Sequence, residues 1–180
     1  MSVTLSTEAR ASSTKAQIKA LRASGKIPAV VYGKSVAPES ITISTDEFRR
    51  FIVEGNRNRL VSLTLPSGGA VNAFIKEICR DKIRRDVTHI DFQVVAAGDS
   101  IVYRLPVSCV GVPVGVKIGG GNLNVIKKDI KVRVKPEFLL DSVELDVSGL
   151  EKGSAALVSD VKLENAVVLT PARQAVATVN

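Results

Sequence analysis

A single histidine, His89, stands two residues before Asp91, within Val87-Thr88-His89-Ile90-Asp91-Phe92, where apolar and polar side chains alternate. On an extended strand that alternation turns His89 and Asp91 to one face and Ile90 and Phe92 to the other. An imidazole beside a carboxylate can activate a nucleophile, hold a metal or offer hydrogen bonds to a ligand. The first two uses lack company here. Cys79 lies in an apolar run with Ile75 and Ile78, where a small buried thiol is the expected state. Gly119-Gly120-Gly121 has no Lys-Ser/Thr after it and leads into strand-like sequence, so it reads as a turn and not a phosphate loop. The carboxylates of residues 137–164 are scattered and form no set for Mg²⁺ or Ca²⁺. The chain is therefore expected not to be an enzyme and to hold no metal or cofactor. What remains is ligand binding, or a pair that merely holds itself or a neighbouring loop.

The charge indicates which ligand. The chain has 180 residues and a net charge of +7. Residues 1–94 carry 15 basic and 9 acidic side chains, net +6, whereas residues 95–180 carry 10 and 9, net +1. Arg10, Lys15, Lys19, Arg22, Lys26 and Lys34 face only Glu8 in the first 34 positions. Such a density suits a polyanion, nucleic acid first and an anionic membrane second. Lys15, Lys19 and Arg22 follow spacings of four and three, which align them along one side of a helix. Tyr32 at a strand end, Lys76 and Arg80 on a long strand and its exit, and the His89–Asp91 pair complete the candidate set. Together they fit RNA. Lys and Arg neutralise phosphates, and Tyr stacks; a strand-borne His and Asp reach base edges or 2′-hydroxyls in a wide, shallow minor groove. An Asp in a basic patch can accept a hydrogen bond from a base amino group, which no Lys or Arg can do.

The elements that would carry these groups are mostly strands. Val occurs 27 times, nine in residues 1–94 and eighteen in 95–180, and its branched Cβ favours strands. The first half reads as a strand from Val3, then a helix from Ser12 to Ser24 with Ile18 and Leu21 inward and Gly25 as its stop. Strands at 27–33 and 41–43 follow. Ser44 and Glu47 have the capping-box spacing for a helix with Phe48, Phe51 and Ile52 on one side. Strands at 60–65 and 70–79 should form a hairpin, and 87–92 is the strand of His89 and Asp91. The join is expected near Val95 to Ser100, dividing the chain into 1–94 and 95–180. Beyond it, strands are expected at 101–110, 130–134 and 143–147, with 166–170 as the last and the segment from Pro171 as a tail. Unbroken apolar stretches fall short of a membrane span. Two cysteines and no apolar leader fit a reducing cytoplasm, and strand-like alternation from Val3 disfavours a transit peptide.

Leu21-Arg22-x-x-Gly25-x-Ile27-Pro28-Ala29-Val30-Val31-Tyr32-Gly33 and His89-Ile90-Asp91-Phe92 resemble two signatures of the bacterial L-twenty-five family of large-subunit ribosomal proteins. Gly111-Val112-Pro113-x-Gly115-Val116-Lys117, Gly119-Gly120 and Val143-Glu144-Leu145-Asp146-Val147-Ser148-x-Leu150 resemble its two-domain, Ctc-type form, named for a general stress protein. The resemblance implies a mainly β protein with a few helices. Its first domain would be a small β-barrel similar to the anticodon-binding barrel of glutaminyl-tRNA synthetase, binding the loop E region of 5S rRNA. A mostly β second domain would touch neighbouring ribosomal proteins or rRNA. By position, Arg10, Lys15, Lys19 and Arg22 correspond to basic N-terminal contacts, Tyr32 to the strand tyrosine, and Arg80, His89 and Asp91 to groove-facing residues; at Lys76 the family often has Gln. Thr14 and Ala16 replace glycines usual in the family, Ala20 a basic residue, and Asp81-Lys82 an Asp-Pro pair. The resemblance further implies a cytoplasmic ribosomal location, a monomer away from the ribosome and no membrane partner. Two other functions follow from the same features: a tRNA-binding accessory domain, and a stress-linked protein adaptor acting through residues 95–180.

Overall fold

The computed structural model describes residues 3–10, 14–34, 36–66, 68–96 and 98–180. Packing divides the chain into two compact units, Met1–Asp99 and Ser100–Asn180. The first contains β1 (Val3–Ser6), β2 (Glu8–Ala9), α1 (Lys15–Ala23), β3 (Lys26–Tyr32), β4 (Glu39–Ser44), α2 (Thr45–Val53), β5 (Leu60–Leu65), β6 (Gly69–Arg80) and β7 (Val87–Val94). Its strands form one seven-stranded sheet in the order β1-β5-β6-β7-β3-β4-β2. β1 and β2 lie at opposite ends of that order yet are separated in sequence by Thr7 alone, so the sheet curls into a barrel-like form.

One face of each strand except the short β2, whose two residues are exposed, fills the interior. Ile27, Ala29 and Val31 of β3 alternate inward, as do Ile90 and Phe92 of β7 and Val61, Leu63 and Leu65 of β5. α2 closes the core with Phe48 and Phe51, whose rings lie 6.3 Å apart and nearly parallel. The capping box expected at Ser44 and Glu47 is not formed. Ser44 makes no side-chain cap, and the Glu47 carboxylate accepts from Ser6 N and Oγ at 3.0 and 3.3 Å, tying α2 to β1. The box occurs instead on α1, where Gln17 Oε1 accepts from Thr14 N at 2.8 Å and Thr14 Oγ1 from Gln17 N at 3.5 Å. α1 buries no residue; Ile18 and Leu21 are half-buried, and Gly25 at φ +78° ends the helix as anticipated. Ser12 and Ser13 of the expected helix lie outside the described residues.

Two irregularities in the β6–β7 pairing decide which side chains of these strands face solvent. Ile75 pairs with Phe92 and Glu77 with Asp91, so Lys76 is an extra residue and the inside–outside phase of β6 slips by one. Cys79 pairs with His89 and Arg80 with Val87, which makes Thr88 the extra residue on β7. The first slip overturns the expected burial of Cys79. Ile75 and Ile78 both turn inward, and Cys79 is exposed beside His89.

The second unit contains β8 (Ile101–Val110), α3 (Val114–Lys117), β9 (Leu123–Val125), β10 (Asp129–Val134), β11 (Val143–Asp146), β12 (Ala155–Leu157), β13 (Ala166–Val168) and β14 (Ala175–Val179). Two sheets form, β11-β8-β10-β13 and β12-β14-β9. The segment after Pro171 is not a tail. β14 is the centre of the three-stranded sheet, with Val176, Ala177 and Val179 fully buried. Gly119-Gly120-Gly121 is indeed a packed turn: a Cβ on Gly121 would come within 2.9 Å of Asn180 O and of Val179 Cγ1.

Candidate nucleic-acid interface

The solvent side of β3, β6 and β7 gathers the polar groups. Asp91 pairs with Val30 of β3 and with Glu77 of β6, Cys79 lies opposite His89, and Tyr32 lies opposite Gln93. Residues paired across a sheet share a face, so Tyr32, Glu77, Cys79, His89, Asp91 and Gln93 form one outer patch. His89 Nδ1 and Asp91 Oδ1 are 2.7 Å apart. The carboxylate fixes the ring, and both groups stay about a third exposed, 30% and 32%. That geometry leaves the imidazole Nε2 edge and the second carboxylate oxygen available for a ligand. Tyr32 is half-buried at the rim; partial burial first, then the charges of Asp91 and Glu77, push its phenol above the ordinary value. It therefore remains a neutral donor and stacking surface.

The cations surround this patch more unevenly than their spacing in the sequence implies. Lys76 sits at the bulge, so that both Lys76 and Glu77 stand opposite Asp91. Lys15 and Lys19 lie on the exposed side of α1. Arg22 has a structural bond: its Nε and Nη2 donate to Thr88 O at 3.2 and 2.9 Å. That carbonyl belongs to the bulged residue of β7, which the ladder leaves over, and the bond pins α1 against the sheet. Arg10 follows β2, across β4 from β3; its N donates to Ser40 O at 3.1 Å, while its Nε is buried with no acceptor among the described residues. Arg80 is brought not to the outer patch but to a cleft of about 790 Å³ with Lys19 and Arg22. Arg49 of α2 and Arg84 and Arg85 of the β6–β7 loop line the same cleft. Asp81 ties that loop, Oδ1 accepting from Ile83 N and Arg84 N at 2.8 Å each, and those bonds hold its carboxyl below the usual range.

Sequence reasoning missed Glu77, Gln93 and Arg49. Gln93 continues the His89–Asp91 alternation and was open to that argument; Glu77 was not, because its direction depends on the bulge at Lys76. Among the described residues no three His, Cys, Asp or Glu side chains are grouped to hold a metal ion, and no helix is long and apolar enough to cross a membrane.

The profile of the Ribosomal L25p family matches residues 5–92, and that of the C-terminal domain of ribosomal protein TL5 matches residues 100–180. The chain is 33% identical to the large ribosomal subunit protein bL25 of Lysinibacillus sphaericus over 162 residues, covering 90% of this chain and 81% of that one. It belongs to the bL25 family. A bL25 from Geobacillus kaustophilus is 34% identical over 91% of this chain and 77% of its own length. A bL25 from Sorangium cellulosum is 32% identical over 99% and 78%. Membership makes the chain a structural protein of the large ribosomal subunit, cytoplasmic and at work in translation, not an enzyme. The mainly β, two-domain architecture of the bL25 family, with its barrel-like first sheet, is the architecture of this chain.

Proposed function

We propose that this bL25 chain binds 5S rRNA, at the loop E region, through the outer patch of its first unit. The observation that carries the reading is the His89–Asp91 pair held at 2.7 Å on a solvent-facing strand beside Tyr32. A phosphate-binding surface needs only cations. A preorganised acceptor next to an imidazole edge adds groups suited to base amino groups and 2′-hydroxyls, the features that an irregular A-form helix exposes in its shallow groove. Lys15 and Lys19 on the exposed side of α1 supply phosphate contacts, with Lys76 at the bulge; Arg80, at the end of β6, meets phosphate from the adjoining cleft. Arg10, which follows β2, adds a further cation to the unit through its guanidinium, although its Nε is itself buried. Arg22 acts mainly by fixing α1 in place. The second unit touches neighbouring ribosomal proteins or rRNA, and away from the ribosome the chain is a monomer.

The test is a binding series against 5S rRNA and an unrelated structured RNA at several salt concentrations. Asp91→Ala or His89→Ala should erode the preference for 5S rRNA by about 1–3 kcal/mol, the worth of one well-placed base contact, and leave binding to the unrelated RNA nearly unchanged. An unchanged ratio in both variants would remove the assigned role of the pair.

A further inference from the structure

The cleft lined by Arg49, Arg80, Arg84 and Arg85 carries more positive charge than the outer patch can use. Its two carboxylates, Asp81 and Asp86, offset only part of that charge: seven cations line the cleft among the described residues, and Asp81 is held ionised by the loop backbone with the charge of Arg84 beside it. Among the described residues none of these four arginines has a salt-bridge partner. Cations from α2, from the end of β6 and from the β6–β7 loop thus repel one another around one cavity, an arrangement that calls for a bound polyanion. The cleft walls also bear apolar groups. Val53, which lines the cleft, is 80% exposed, and Ile83, beside Arg84 in the β6–β7 loop but outside the lining, is 92% exposed. Arg85 holds φ +61°, a conformation that costs energy for a residue of this kind and fixes the aim of the loop.

We propose that this cleft is a second RNA-contact surface of the first unit, receiving a sugar–phosphate strand other than the one read by the outer patch. The inference rests on the RNA-binding reading of that patch. Most cations of the lining are arginines, whose planar forks both grip phosphate oxygens and stack on bases, while Val53 offers apolar surface to ribose or base. A lone anion would need donors converging on one point; here they are spread over three elements around about 790 Å³. The two surfaces adjoin at Arg80 and Thr88, next to Cys79 and His89, and diverge along the strands. The cleft touches β3 at Lys26 and Ile27, whereas Tyr32 lies five residues on, roughly 17 Å at the rise of an extended chain.

The experiment uses the full chain with Arg49→Gln, Arg84→Gln and Arg85→Asn combined, Asn being tolerant of positive φ. All three arginines are exposed and hold no core contact, so folding should be retained, as circular dichroism would verify. Hydroxyl-radical footprinting of 5S rRNA should give two protected segments with the unaltered chain. The triple variant should lose one and keep the segment sensitive to Asp91→Ala, and its salt slope should fall by about 2–3. An unaltered footprint and slope would overturn the proposal. Should the unaltered chain protect nothing on 5S rRNA, the outer-patch reading fails, and the cleft is judged by a photo-reactive side chain placed at Ile83 in assembled large subunits. An RNA adduct there supports the proposal; a protein adduct overturns it.

Discussion

The two units are built alike, from strands with valine- and isoleucine-rich inner faces, and differ in what lies on the solvent side. In the first, the outer faces of β3, β6 and β7 bring an imidazole, two carboxylates, a phenol and an amide together within a surround of cations. In the second, Arg104 of β8 lies opposite Lys131 of β10, Arg133 follows on the same face, and Asp129 reaches Arg104 at 3.8 Å. Tyr103, the aromatic of that pair of strands, turns inward instead, its hydroxyl donating to Leu140 O and accepting from Leu140 N at 3.1 Å each. The second surface can meet phosphates but has little with which to read bases. Net charge separates the halves; the acceptors placed among the cations separate recognition from attraction.

The largest effect is expected from ending the chain after Pro171. That removes β14 from the middle of the three-stranded sheet, and hydrogen exchange should show protection lost through much of 100–170 while the first unit keeps its own. Protection unchanged in both would mean that the second unit does not depend on β14. Next comes Phe92→Ala, which empties a fully buried site in the first unit and should cost about 3–5 kcal/mol in denaturant unfolding. Val167→Ala, 60% exposed on β13, should fall within about 0.5 kcal/mol.

A finer contrast compares cations. Lys15→Gln with Lys19→Gln should lower the salt slope of 5S rRNA binding by about 0.9 for each phosphate no longer neutralised, whereas Lys131→Gln with Arg133→Gln should leave it unmoved. Equal losses from both pairs would dissolve the distinction between the units. The smallest effect concerns Tyr103→Phe, which removes two hydrogen bonds and should destabilise by about 1 kcal/mol. Burial raises the Tyr103 phenol above its ordinary value, so its contribution is complete below pH 10 and is lost as pH climbs through the raised value. Tyr103→Phe should flatten that alkaline decline, measured as the midpoint of thermal unfolding against pH.

Much of this was legible because it is local. The period of Phe48, Phe51 and Ile52 marks α2, the turn at 66–69 marks the β5–β6 hairpin, and the alternation around His89 gives the face of each side chain. What escaped was decided by partners far away in sequence. Cys79 is exposed because a single extra residue, Lys76, shifts the phase of β6, and no local pattern announces a bulge. Glu47 has the right spacing for a cap but is taken by Ser6, 41 positions away. β14 looked like a tail because Ala175, Ala177 and Thr178 are small and follow a proline; its burial comes from pairing with β9 and β12. The outer patch could be inferred for Tyr32, His89 and Asp91, while the basic cleft needed α2 and the β6–β7 loop brought together in space.

The most direct measurement is an NMR titration of the labelled full chain with 5S rRNA, following backbone amides and the His89 ring. The outer-patch account predicts the largest and earliest shifts at Tyr32, His89, Asp91 and Gln93, with the inward-facing Ile90 and Phe92 moving less and β8–β10 hardly at all. Shifts concentrated on Arg104, Lys131 and Arg133, with His89 and Asp91 unmoved at saturation, would contradict it.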